Sequence, residues 1–266
     1  MDIIIDKNSP HAMPDIPGRF YENLLLGMGY TAQNMPVGDL LRQYHHLEGQ
    51  WLVVSPITWQ ATHNDAVIQA PTAEAALSED EARSYYDAFA EFASHDGLTT
   101  HFHDQSIWLI ECTQRPAIQT KSLHDMIGLS MLPELQTMDA TLYWQRFLTE
   151  VQMLFSGHAQ NKHRRTMPIN GVWLWGSGVL EKPTNRTIFS QEKYAPWARL
   201  LSTNVTQSTA SIREHSMLLL ADDLVCHERD IHRVMNRSKV CWYWNNTSYV
   251  TKPKFWLFRL WSHLCK

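Results

Sequence analysis

Hydrophobic and polar positions change period several times along this chain, and each change predicts an element. Asp2 to Asp6 (DIIID) is a short apolar run between charges, followed by Asn8-Ser9-Pro10, and predicts a buried strand. Arg19 to Gly29 and Val37 to Leu47 have helical spacing and are separated by a polar turn with proline. Trp51 to Trp59 (WLVVSPITW) and Ala66 to Ala70 predict two strands joined through His63-Asn64-Asp65, with Pro56 suited to an edge or a bulge. In Leu77-Ser78-x-x-Glu81, Ser78 can cap a helix while Glu81 bonds back and Leu77 staples against Ala82. Ala82, Tyr85, Phe89 and Phe92 then recur at helical spacing, and Gly97 supplies a left-handed stop. With strands predicted over Thr99 to His103 and Ser106 to Cys112, residues 51 to 112 spell a β-β-α-β-β module.

Thr113 to Met138 has weak periodicity and predicts irregular chain, the softest place for a lobe boundary within a single domain of residues 1–266. A long amphipathic helix is predicted from Asp139 to Phe155. Tyr143, Phe147, Val151, Leu154 and Phe155 form its apolar face, with Gln145, Thr149 and Gln152 on its wet face. The Trp-rich run Gly171 to Trp175 predicts a strand that empties into Gly176-Ser177-Gly178. Beyond it the pattern fades until a strand at Ser216 to Leu220 and a helix from Cys226 to Arg237. The tail from Tyr249 to Lys266 is aromatic and basic. With apolar groups nearly all round, it predicts a helix packed back on the domain, or else a membrane- or partner-docking segment. The whole reads as an α/β protein with a mixed sheet and flanking helices.

Composition narrows the classes. A net charge of −4 with mixed signs gives no field that would gather nucleic acid. Cys112, Cys226, Cys241 and Cys265 form no C-x-x-C pair, so neither a zinc knuckle nor a redox motif is indicated. No run reaches the length of a membrane span, and Met1 to Gly18 lacks the pattern of a secretory signal, so a cytoplasmic protein with reduced thiols is expected.

The candidate chemistry centres on residues 161–178. Asn161, Lys162, His163, Arg164 and Arg165 follow the long helix, and guanidinium groups can clamp phosphate or carboxylate while a glycine turn lends its amides. An anionic ligand held by Asn161, Arg164, Arg165, Asn170, Trp173, Trp175, Gly176 and Gly178 is the expectation. The competing reading is a solvated basic turn beside a Trp pair that belongs to the core. A runner-up metal set is Asp6, Asp222, Asp223 and His227, carboxylates at strand ends beside a histidine. His101-x-His103-Asp104 places two imidazoles on one side of a strand, with no third ligand at a recognised spacing. His45-His46 and His124-Asp125 are weaker signals. Glu150 could act as a base, but Arg146 one turn earlier explains it without chemistry. No serine sits in a G-x-S-x-G elbow, and the glycines lack Walker or dinucleotide spacing.

Several blocks together resemble a family of uncharacterised bacterial cytoplasmic proteins, described as regulators of pathogenicity factors or as phosphoglycerate-mutase-like. They are Trp51-Leu52-Val53-Val54-Ser55-Pro56, the Ser78 helix, Glu150-x-Gln152-Met153-Leu154, His158, Asn161, Arg165 and Pro168 to Gly178. That family is similar to a segment of the archaeal-type cofactor-independent phosphoglycerate mutase of the alkaline-phosphatase superfamily, which uses two metal ions and a serine nucleophile. This chain departs from the enzyme. Asp6 is followed by Lys7 rather than glycine, the stretch after Gly178 is shorter than the enzyme's second half, and Ser55-Pro56-Ile57-Thr58 stands where the family reads Asp-Pro-x-His. The resemblance implies a related fold element and a non-catalytic regulatory or binding protein that needs no cofactor. The expected partner is an anionic metabolite or a protein, bound through residues 161–178, and not nucleic acid. A metal-dependent phosphate-transfer or ester-hydrolysing enzyme is the alternative, and docking through the tail a third.

Overall fold

The computed structural model describes residues 1–9, 16–33, 35–63, 65–70, 76–164, 166–223, 226 and 229–253. In chain order the elements are β1 (Asp2–Ile5), α1 (Arg19–Met28), α2 (Val37–Tyr44), β2 (Trp51–Ile57), β3 (Trp59–Ala61), β4 (Ala66–Ile68), α3 (Glu79–His95), β5 (Thr100–Phe102) and β6 (Trp108–Glu111). Then come α4 (Leu123–Met126), α5 (Leu132–Thr137), α6 (Tyr143–Ser156), α7 (Ala159–His163), β7 (Gly171–Trp175), β8 (Ile188–Ser190) and α8 (Ala195–Leu201). The last are β9 (Val205–Thr206), β10 (Met217–Leu220), α9 (Arg229–Met235), β11 (Val240–Trp244) and β12 (Thr247–Thr251). The mixed α/β class agrees with the sequence pattern.

The chain gathers into two compact units, where the sequence suggested one domain. The first takes Met1–Met13, Gly27–Gly29 and Glu181–Lys266; the second takes Pro14–Leu26 and Tyr30–Leu180. The soft boundary expected within 113–138 is not where they divide. That segment lies wholly inside the second unit and is stitched into it. Trp144 and Trp173 donate their indole N–H to the carbonyls of Pro116 and Lys121, and Thr120 Oγ1 donates to the carbonyl of Leu174.

The first unit is a six-stranded sheet in the order β12-β11-β1-β10-β8-β9. β1 lies parallel to β10 and to β11, with Ile5 opposite Leu220 on one side and Trp244 on the other. Only β12 runs antiparallel, against β11. Ile3, Ile4 and Ile5 are all fully buried, so both faces of β1 are covered, as a parallel strand requires. Arg186 anchors this unit by pairing with Asp2 and donating to the carbonyls of Gly27 and His215. The fading pattern after the Trp strand hid β8, α8, β11 and β12. The stretch from Tyr249 to Thr251, expected as the start of a helix, is the end of β12. The remainder of that tail, residues 254–266, lies outside the described residues.

The second unit holds a four-stranded antiparallel sheet, β5-β6-β2-β7, and a separate β3–β4 hairpin. The β-β-α-β-β reading is therefore altered. The strand at 66–68 pairs with β3, and the Trp-rich β7 takes the place beside β2. Within β2 only Trp51 to Val54 pair with β6, so Pro56 sits beyond the end of that ladder, where its missing N–H costs nothing on that side. The core is aromatic: Trp108, Trp144, Trp173, Trp175, Tyr85, Phe89 and Phe155 are fully buried.

Local chemistry explains the helix boundaries. The Ser78–Glu81 capping box forms, and Gly97 takes φ +68° past the end of α3. α6 starts at Tyr143 rather than Asp139, because the Asp139 carboxylate accepts the backbone N–H groups of Thr141, Tyr143 and Trp144 and ends the preceding turn. Two glycines are forced by close approach. Gly176, at φ +75°, accepts the N–H of Gly38 at 2.9 Å, and a Cβ on Gly38 would stand 2.2 Å from the carbonyl oxygen of Trp51.

Candidate functional site

The residues expected to clamp an anion are mostly employed in the fold. Arg164 is buried: its side chain is 3 % exposed. It donates to Glu81 Oε1 (3.1 Å), Thr166 Oγ1 (3.0 Å) and the carbonyl of Met167 (3.2 Å). Asn161 donates to the carbonyls of Phe155 and Ile169 and accepts from Ile169 N–H and Tyr85 O–H. Asn170 accepts the N–H of Trp59 and donates to its carbonyl, latching the start of β3 to β7. Trp173 and Trp175 lie in the core, the latter donating to Ser55 Oγ at 3.0 Å. Arg165 lies outside the described residues.

These groups do not converge. Arg164 and Asn161 bond at the entry end of β7, whereas Gly176 and Gly178 follow its exit end. At about 3.3 Å of rise per residue, Gly171 and Gly176 are roughly 16 Å apart. The carbonyl of Gly176 is taken by Gly38. A strand thus separates the described part of the basic bend from the glycine turn.

The runner-up metal set fares similarly. Asp6 lies at the carboxyl end of β1, beside the end of β10, which Asp222 and Asp223 follow. Its carboxylate already accepts from Tyr194 O–H (2.9 Å), Lys193 Nζ (3.2 Å) and Asn245 Nδ2 (3.2 Å). Burial, with the hydrogen bond to Asp6 second, pushes the Tyr194 hydroxyl up to about 12. His227 lies outside the described residues. Among the described residues no group of three His, Cys, Asp or Glu side chains is placed to hold a metal ion. Two cysteines are held toward the thiol form. Burial, then Glu111, pushes Cys112 up to about 11; burial, then Asp223 and Asp222, pushes Cys226 up to about 12. Glu150 is exposed on α6.

What the structure does bring together is the pair of weaker histidine signals. His45 caps the end of α2, and His46 follows with φ 55° and turns the chain. His101 in β5 and His103, the residue just past its end, both face His45, while Phe102 between them points away and receives the Arg83 guanidinium at 3.6 Å. His45 Nε2 and His103 Nδ1 are 2.8 Å apart, and His103 Nε2 is 2.6 Å from the Tyr21 hydroxyl. The His45 and His101 rings are 4.3 Å apart, and Tyr44 stands edge-on to His45 and His103. Two proton orders satisfy the chain Tyr21–His103–His45: every proton can point toward His45, or every proton toward Tyr21.

All three imidazoles are half-buried and held toward the neutral form. Burial, then the neighbouring His101, His103 and His46, brings His45 down to about 4. Burial alone lowers His101. Burial lowers His103, opposed by Asp104 and helped by His101. Asp104 Oδ1 accepts from the N–H groups of Ser106 and Ile107 in the turn, and its Oδ2 lies 3.8 Å from His103 Nε2. Sequence spacing could not find this cluster, because His45 is 58 residues from His103.

The fold and this site define a mixed α/β protein of two units carrying an imidazole cluster in the second. No family model and no curated protein matches the chain. Among solved structures it is similar to the cofactor-independent phosphoglycerate mutase from Thermoplasma acidophilum DSM 1728. That likeness covers 90% of this chain and 74% of the mutase, with 14% identity and a TM-score of 0.33. It is also similar to the PH0037 protein from Pyrococcus horikoshii, over 92% of this chain and 74% of that one, with 10% identity and a TM-score of 0.40. Likeness this distant transfers no residue and no chemistry. No helix among the described residues is long and apolar enough to cross a membrane.

Proposed function

We propose that this chain is a non-catalytic binding protein of a regulatory kind, and that its ligand is an anionic metabolite received at His45, His101 and His103. The observation that carries the reading is the contact of three imidazoles at the end of α2 and along and just past β5, two of them linked by hydrogen bonds to Tyr21. A neutral cluster resists protonation because each new charge is desolvated and repelled by its neighbours. A bound phosphate or carboxylate removes that resistance and takes up N–H donors in exchange. A metal fits less well, because both ring nitrogens of His103 are committed, one to His45 and one to Tyr21.

Proton linkage gives the reading a sign. The folded value of His45 is about 4, below the ordinary 6.5. As pH falls through that window the unfolded chain takes the proton first, and stability drops. An anion that raises the folded value reverses this, so its affinity rises as pH falls from about 6.5 toward 4. The test is a thermal melt with orthophosphate and with succinate, at pH 6 and pH 8, on the wild type and on His101→Ala. We expect a stabilisation of several degrees at pH 6, smaller at pH 8 and absent from the folded variant. An equal shift in His101→Ala, or none in the wild type with either anion, overturns the site.

A further inference from the structure

A cavity of about 130 Å³ opens in the second unit between the β3–β4 hairpin, α5, α6 and the first residues of β7. Its walls are apolar: Ile57, Trp59, Met131, Leu135, Leu148 and Val172. None of its lining residues is charged. Polar chemistry is confined to one strip on α6, where Thr149 and Gln152 lie one helical turn apart. Thr149 is committed to the carbonyl of Gln145, so the Gln152 amide is the group with both a donor and an acceptor to offer.

The cavity is built rather than left over. Gly171 removes a side chain from its floor, and a Cβ there would stand 3.3 Å from the Trp59 indole. Trp59 cannot swing in to fill the space. Asn170 holds its backbone from both sides, and its indole N–H donates to the carbonyl of Asn170 at 3.3 Å. Leu132 forms a lip that remains 40% exposed.

We infer that this cavity binds a small, uncharged, ring-sized molecule with one hydrogen-bonding group, its apolar body against Trp59 and Leu148 and its polar group at Gln152. Size and charge select that class. An apolar cavity of roughly 150 Å³ takes up benzene, whereas drug-sized ligands occupy roughly 300–1,000 Å³, so a nucleotide or an acyl chain is too large. A charged ligand would be stripped of water against walls that offer no counter-charge. The inference is independent of the imidazole cluster, which lines none of this space.

The probes are 4-fluorophenol and fluorobenzene, followed by ¹⁹F NMR titration against the full chain, with circular dichroism to verify folding. Saturable binding of both is expected, with the phenol preferred. Ala66 lines the cavity from β4, and Ala66→Leu should weaken both probes at least tenfold by filling it. Gln152→Leu, a change on the wet side of α6, should erase the preference for the phenol while leaving fluorobenzene bound. Displacement of either probe by toluene places both in one site. Absence of saturable binding to the wild type overturns the inference. So does unchanged binding in a folded Ala66→Leu protein. Should that variant not fold, an undiminished phenol preference in Gln152→Leu is the overturning result.

Discussion

Replacing Arg164 by methionine removes hydrogen bonds to Glu81, Thr166 and Met167 at once and leaves the Glu81 carboxylate without its cation. The loss should be about 2–3 kcal/mol, at the lower edge of what breaking a buried pair costs because Glu81 is partly open to water. Lys162→Ala, two residues earlier and exposed, should change stability by less than about 0.5 kcal/mol. Urea unfolding of both variants checks the contrast. Nearly equal losses would mean that the bend is solvated throughout. The same pair shows what the sequence reveals at this scale. Arg164 stands out as a cation after a helix, but its partner is 83 residues away, and no local pattern reports that distance. His45 was hidden in the same way from His101 and His103. Asn161 and Asn170 were visible as polar groups at the mouth of a strand, and both act there as fasteners.

At the scale of elements, α3 carries the sharpest expectation. Ser78 Oγ accepts the N–H of Glu81, while Glu81 Oε2 accepts from Ser78 and Oε1 accepts from Arg164. One carboxylate thus closes a helix cap and anchors the turn after α7. Backbone and side-chain hydrogen bonds from Ser78, with Arg164 adding its charge, hold Glu81 below the usual carboxylate range. Ser78→Ala should cost about 1 kcal/mol, the usual worth of a cap. Glu81→Ala should cost about twice that or more, because it loses the Arg164 bond as well. Chemical denaturation of the two variants decides it, and equal costs would separate the cap from the turn. Elements with strong punctuation were legible: the capping box of α3, the DIIID strand, the Gly171–Trp175 strand. β8 and β9 are three and two residues long, too short for a period of two to be counted. β12 reads Thr-Ser-Tyr-Val-Thr, and its single aromatic was absorbed into the aromatic tail beyond it. The sequence predicts one strand over Trp51 to Trp59 and a second over Ala66 to Ala70, whereas β3 starts at Trp59 and pairs with β4 apart from the four-stranded sheet, because alternation says that a run is a strand but not which neighbour it takes.

For the whole molecule, the second unit closes its own sheet and owns an aromatic core, so its cohesion does not rest on strands from elsewhere. A polypeptide of residues 16–180 should therefore unfold cooperatively on heating, with near-ultraviolet dichroism from its buried tryptophans. A featureless melt would show that the unit depends on the rest of the chain. The first unit has the opposite wiring. Its central strand β1 pairs with β10, Asp2 lying opposite Met217, and with β11, Asp2 lying opposite Cys241. On a ribosome adding roughly 5–20 residues per second, Ile3, Ile4 and Ile5 emerge on the order of ten to forty seconds before β10 exists to receive them. For that interval three consecutive isoleucines stand without their strand partners, and the charges of Asp2 and Asp6 on either side oppose their pairing with another chain.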